Sequence, residues 1–98
     1  GMMNVFGAEE GKNLTARNVK IIKEIAERTQ SIETLVEELV EARKKANVIE
    51  SEREKAIAYH DTVVPKMEAI RYQIDKLELI VADELWTLPK YRELLFIR

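Results

Sequence analysis

The sequence contains no cysteine, one histidine (His60), three glycines and two prolines among 98 residues. The lack of cysteine excludes a disulfide scaffold, a zinc ribbon or a redox pair, and a single histidine excludes a multi-histidine metal site. No apolar run approaches the roughly 20 residues that a membrane span needs, so we expect no membrane partner. Few helix breakers, with 46% hydrophobic and 35% charged residues, favour long amphipathic helices over disorder.

The charge balance argues against nucleic-acid binding. Sixteen basic and eighteen acidic residues give a net charge of −2, whereas a nucleic-acid-binding domain is usually basic. The most basic stretch, Arg43-Lys44-Lys45 followed by Arg53 and Lys55, is interspersed with glutamates and has no aromatic platform. We interpret it as a solvated helix end. No export signal is evident at the start, and we expect a cytoplasmic protein.

The first residues are expected to form a leader before a long helix. All three glycines fall in residues 1–12, and Gly1 before Met2 resembles a scar left by tag removal. Asn13 is expected to cap the helix that follows, because its side chain accepts from free backbone N–H groups. Thr29-Gln30-Ser31 is a candidate kink or break, since both hydroxyls compete for backbone hydrogen bonds.

Apolar residues after Asn13 repeat in three- and four-residue steps, which indicates one buried helix face. This stripe comprises Ile22, Ile25, Ile32, Val36 and Leu39, widened by Ile21, Leu35 and Ala42.

A second helix is expected to begin at Ser51, because Ser51 followed by Glu54 matches a capping box. The alternative is one helix that runs on to Val64. A repeat of 3.5 residues favours left-handed packing against a neighbour at roughly 20°. Pro65 predicts a kink near Asp61–Pro65. The periodic positions of this helix are Ala56, His60, Val63, Met67, Ile70, Ile74, Leu77 and Val81.

These patterns predict an all-α fold, built as a long antiparallel helical hairpin over residues 13–83. Three helices are the alternative, if Pro65 divides the second one. Residues 84–98 are expected to form an apolar tail with a short helix, which Pro89 suits at its first position. Several large apolar side chains would stay exposed on a bare hairpin. We therefore expect self-association, or further protein, to complete the fold.

No catalytic constellation is evident in these residues. His60 beside Asp61 has the composition of a general base held by a carboxylate, but no nucleophile or second ligand accompanies it. We interpret His60 as a helix histidine on the apolar seam that bonds to a neighbour at the kink. Four acidic residues lie close together without a loop to supply an oxygen cage, and we interpret them as a solvated face: Glu33, Glu37, Glu38 and Glu41. We assign no catalytic, cofactor-binding or metal-binding residue.

Two segments are distinctive: residues 58–71, AYHDTVVPKMEAIR, and residues 76–96, KLELIVADELWTLPKYRELLF. Both resemble the C-terminal helical region of type III glutamine synthetases. That family shows an aromatic-x-Asp-x-Val-x-Pro stretch and a Trp-Pro-x-Pro-x-Tyr-x-x-Leu-Leu-Phe finish. Thr87 stands where the family commonly has proline.

The resemblance implies a piece of an enzyme that condenses glutamate with ammonia, using ATP and Mg or Mn, in a large ring-stacked oligomer. The substrate- and metal-binding motifs of that family lie outside these residues, so the resemblance assigns no catalytic role here. It implies a non-catalytic element that packs against the catalytic domain or a neighbouring subunit. The alternative is a free-standing helical module for protein interaction or oligomerisation.

Overall fold

A computed structural model describes the backbone of residues 2–96 and the side chains of residues 11–87. It is an extended molecule, with a radius of gyration of 22.0 Å and dimensions of 76 × 18 × 14 Å. Residues 2–96 contain no strand, so the all-α prediction is confirmed. The elements in chain order are α1 (Met2–Asn47), α2 (Glu52–Ala58), a π-helical turn (Tyr59–Val63) and α3 (Val64–Phe96).

The chain reverses direction between α1 and α2 without a glycine. The N–H of Ile49 donates to the carbonyl of Ala46 at 3.2 Å. Ser51 then has an extended backbone, and its hydroxyl accepts from the N–H of Glu54 at 3.3 Å. The Tyr59 hydroxyl donates to the Asn47 side chain and so ties the π-helical turn to the end of α1. The predicted hairpin and the cap at Ser51 are confirmed, and the single-helix alternative is wrong.

Replacing the cap tests its contribution to stability. Ser51→Ala is expected to lower the free energy of unfolding by about 1 kcal/mol, because the Glu54 N–H loses its acceptor. Urea unfolding followed by circular dichroism measures this change. Ser51→Asp retains an acceptor and should unfold like the original protein. An alanine variant as stable as the original would contradict a stabilising cap.

Pro65 is accommodated by the π-helical turn that precedes α3. The N–H of Val64 donates to the carbonyl of Tyr59, five residues back. Proline has no N–H to donate, and its ring crowds the carbonyl four residues back. A wider turn before Pro65 relieves that crowding, which is why the irregularity expected near Asp61–Pro65 takes this form.

The hydroxyls of Thr29 and Ser31 do not interrupt α1. Thr29 donates to the carbonyl of Ile25 at 2.7 Å, and Ser31 donates to the carbonyl of Glu27 at 3.1 Å. Each hydroxyl therefore bonds within the helix, four residues back, and does not compete for another conformation. Of the predicted kink or break, the break is absent, because α1 continues through this point.

Both long helices extend beyond their expected ends. Helix α1 begins at Met2, ahead of the cap predicted at Asn13, and α3 continues past Asp83 to Phe96. A glycine costs a helix only about 1 kcal/mol, so glycines in the first residues do not by themselves end it. The side chains of the leader up to residue 10, and of the tail beyond Thr87, lie outside the described residues.

The core is one seam between α1 and the arm formed by α2, the π-helical turn and α3. Among residues 11–87, the buried apolar side chains are Ala46, 1% exposed, and Val63, 3% exposed. The rest of the seam is half-buried, because two helices alone cover only one side of each other. Its half-buried apolar members include Ile21, Ile25, Ile32, Leu35, Leu39 and Ala42 on α1, and Ile70, Leu77 and Ile80 on α3.

On the second arm, only every second residue of the predicted apolar stripe lies in the seam. Val63, Ile70 and Leu77 lie in it, whereas Met67 is 54% exposed and Ile74 is 41% exposed. The buried set and the exposed set each repeat every seven residues. The period alone therefore does not indicate which of the two sets faces α1. Other residues that were predicted to be buried are also exposed: Ala56, His60 and Val81 on this arm, and Ile22 and Val36 on α1. The remaining seam positions of the second arm are occupied by Tyr59, Lys66, Gln73 and Ile80.

Candidate functional site

Polar contacts across the seam set the register of the two arms. Arg17 donates to both carboxylate oxygens of Glu84, at 2.7 and 3.3 Å. Arg28 donates to the Gln73 side chain at 3.0 Å, and its guanidinium also bonds to Glu24 at 3.1 Å, as i,i+4 spacing predicts. Nearer the turn, Lys66 pairs with Glu38.

Sequence reasoning missed these cross-arm contacts. They join residues 28 to 67 positions apart, and the period of a single helix carries no information about such partners. Each pair remains partly exposed, so each adds at most about 1 kcal/mol to stability. Their main effect is to fix which levels of the two arms face each other.

Antiparallel packing places two sets of exposed apolar residues on the same side of the hairpin. Both helices are right-handed, and their axes point in opposite directions. The residue that follows a seam position therefore turns towards the same side on each arm. These side chains are 38–65% exposed. We call this set the apolar face: Val19, Ile22, Val36, Ile57, Val64, Met67, Ile74, Val81 and Leu85.

The opposite side of the hairpin is polar. One open groove there is lined by charged side chains of α1, including Lys20, Glu24 and Glu27. A second groove, near the turn, is lined by the pair formed by Glu38 and Lys66 and by small and aliphatic side chains, including Ala42 and Ile49. Away from the turn, the hairpin therefore has one charged side and one aliphatic side.

A further line of exposed apolar residues runs along α3, away from the apolar face. Tyr72, Leu79 and Trp86 follow one another at seven-residue spacing, and each is exposed. The ammonium of Lys76 lies 5.5 Å from the centre of the Tyr72 ring, within range of a cation–π contact. This line is narrower than the apolar face, because it comes from one helix only.

His60 does not lie on the seam, so that part of the prediction is wrong. Its side chain is 84% exposed, and its Nδ1 lies 3.0 Å from Oδ1 of Asp61, which is 63% exposed. The expected contact with a neighbour at the irregular turn is therefore present. The nearby Thr62 hydroxyl donates to the carbonyl of Ala58 at 2.6 Å. The arrangement is open to water and does not enclose a substrate.

Four glutamates of α1 are exposed, as the interpretation of a solvated face predicts: Glu33, Glu37, Glu38 and Glu41. Glu38 pairs with Lys66, and Glu41 lies 3.8 Å from the Lys44 ammonium. Within residues 11–87, no three histidine or carboxylate side chains are grouped so that they could hold a metal ion. In the same part of the chain, no helix combines the length and apolar character needed to cross a membrane.

The sequence is similar to segments of two known enzymes. It is 48% identical over 97 residues to the glutamine synthetase of Bacteroides fragilis, an alignment that covers 99% of this chain. This chain is homologous to a segment of glutamine synthetase. The type-3 glutamine synthetase of Dictyostelium discoideum is 35% identical over 77 residues, or 76% of this chain. The predicted resemblance is thus confirmed. No protein-family model and no solved structure matches this chain.

The glutamine synthetase segment is small relative to these enzymes. It spans 13% of the length of the Bacteroides fragilis relative and 10% of the Dictyostelium discoideum relative. The matched region therefore corresponds to one part of a much larger polypeptide.

Proposed function

We propose that the segment is a non-catalytic C-terminal helical domain of a type III glutamine synthetase, acting in packing or subunit assembly. The apolar face is the observation that supports this role. Leaving one large aliphatic side chain in water forgoes about 1.5–3 kcal/mol of burial. Nine such side chains on one side of a hairpin therefore favour a state in which another protein surface covers them.

The parent enzyme would carry out the ATP-dependent condensation of glutamate with ammonia, a step of nitrogen metabolism, in the cytoplasm. Its ATP and its Mg or Mn would bind to the remainder of the polypeptide, and the segment itself would hold no cofactor. The exposed His60–Asp61 pair and the solvated glutamates have no part in the reaction under this proposal.

A chimaeric enzyme tests the proposal. The matching 97 residues of the Bacteroides fragilis glutamine synthetase are replaced by this chain, and oligomer mass and glutamine formation are measured. The chimaera should assemble and be active. Ile74→Asp in the chimaera should reduce the assembled fraction at least about tenfold, because a carboxylate in a covered apolar surface costs several kcal/mol. Arg53→Asp, on exposed α2, is the control and should leave assembly unchanged.

Two outcomes would contradict a role in packing or assembly. In one, Ile74→Asp leaves both mass and activity unchanged. In the other, kcat falls in fully assembled particles, which indicates a direct part in the reaction. The reading frame in the source genome tests the free-standing alternative: a stop codon with a ribosome-binding site just before Met2 would favour it, and a catalytic region in frame would contradict it.

A further inference from the structure

We propose that the apolar face binds a second copy of the same chain, in a two-fold dimer in which α3 of one copy runs antiparallel to α3 of the other. This inference rests on the proposed assembly role and names the partner. It adds one specific requirement: the face must be complementary to itself.

The surface area of the hairpin is large enough for such an interface. The chain exposes 8409 Å², whereas a compact protein of the same mass exposes about 5,800 Å². The excess of about 2,600 Å² exceeds the roughly 800 Å² that one partner contributes to a standard interface. An elongated pair of helices therefore has surface to bury that a compact domain of this size would already have covered.

Two opposite charges on the face identify a second copy as the occupant. Arg71 and Glu78 are exposed and flank Ile74 at the outer edge of the face. They are seven residues apart, about 10.5 Å along the helix, too far to pair with each other. Within residues 11–87, neither forms an ion pair with another side chain.

A two-fold axis that passes α3 between Ile74 and Asp75 brings these charges together. In that arrangement Arg71 of each copy lies opposite Glu78 of the other, so the dimer gains two equivalent ion pairs. The same axis places Met67 opposite Val81 of the second copy. Such self-complementarity is what a two-fold interface requires, because every contact occurs twice.

The first helix fits the same axis. Arg28 contacts Gln73, so an axis beside Ile74 passes α1 at the level of Glu27 and Arg28, neither of which belongs to the apolar face. Val19 of one copy then lies opposite Val36 of the other. The two hairpins would stack as a four-helix bundle with an aliphatic interior and charges along its outer edge.

Charge reversal tests the dimer in the 98-residue chain. Sedimentation equilibrium and light scattering between about 1 μM and 1 mM should show a dimer. Arg71→Glu and Glu78→Arg should each raise its Kd by about tenfold, because two attractive pairs become repulsive. The double variant R71E/E78R exchanges the charges and should restore the original Kd. Circular dichroism verifies that all variants keep their helix content.

Matched controls lie on the polar side of the hairpin. Lys20→Glu changes the net charge as Arg71→Glu does, and Glu27→Arg changes it as Glu78→Arg does. Both controls should leave Kd unchanged. Failure of the double variant to restore Kd, or equal effects of the controls, would overturn the proposed axis.

The outcome separates this inference from the assembly role. A folded chain that remains monomeric at 1 mM overturns the second copy as partner. If Ile74→Asp still disrupts assembly of the chimaeric enzyme, the assembly role stands, and another part of the enzyme covers the face. If the isolated chain forms the dimer but the chimaera is unaffected by Ile74→Asp, the assembly role fails while the self-association is supported.

Discussion

Val63→Asp should lower the free energy of unfolding by about 3–5 kcal/mol, because it places an unpaired carboxylate where almost no water reaches. Val63 is 3% exposed and lies in the π-helical turn, where the second arm packs against α1. A small domain has a total stability of about 5–15 kcal/mol. The substitution therefore removes a large fraction of the stability of this hairpin.

Thermal unfolding and urea titration, followed by circular dichroism, measure this effect. Val48→Asp is the matched control: it makes the same replacement in the turn, where Val48 is well exposed, and should change stability by less than about 0.5 kcal/mol. Similar melting temperatures for Val63→Asp and the control would show that Val63 is not buried in solution.

Ala46→Leu is expected to destabilise the fold by about 1–3 kcal/mol through overpacking. Ala46 is 1% exposed, and its surroundings near the turn include Ile49 and Ala58. Neighbouring residues cover almost all of the Ala46 side chain, so the three extra carbon atoms of leucine either adopt a strained rotamer or separate the arms. Sequence preference alone predicts no loss, because leucine is nearly as good a helix former as alanine.

The matched control for this prediction is Ala16→Leu, which makes the same replacement at an exposed position of α1. It should unfold within about 0.5 kcal/mol of the original protein. Urea midpoints of the two variants give the comparison. An Ala46→Leu variant that is as stable as Ala16→Leu would mean that the arms are loosely packed at the turn.

The effect of a substitution in the predicted stripe depends on how exposed the position is. From the sequence, Met67→Asp or Ile74→Asp is expected to disrupt folding or assembly. Both side chains lie about half exposed on the apolar face, so under the proposed assembly role we expect them to affect assembly more than folding. A large change in oligomer mass with little change in the unfolding of the single chain is the expected result.

The local elements were predictable because their signals are local. Ser51 and Glu54 lie three residues apart, and a hydroxyl three residues before a free N–H can cap a helix that begins there. Pro65 predicts an irregular turn because its missing N–H affects only the carbonyl four residues back. The hydroxyl of Thr29 shows the limit of such signals, since the same group that can interrupt a helix can also bond within it.

The sequence by itself determined that this chain is helical, that it reverses at Ser51, and that it is related to glutamine synthetase. Only the tertiary structure decided which side of each helix lies in the seam. Met67 lies four positions after Val63, and Lys66 lies three positions after it. Because Met67 is apolar, the sequence pattern predicted that Met67, and not Lys66, would lie in the seam. In the structure Lys66 lies in the seam, where it bonds to Glu38, and the aliphatic residues lie on the surface as the apolar face. The sequence could not decide this, because both sets of positions repeat every seven residues and fit the same helix.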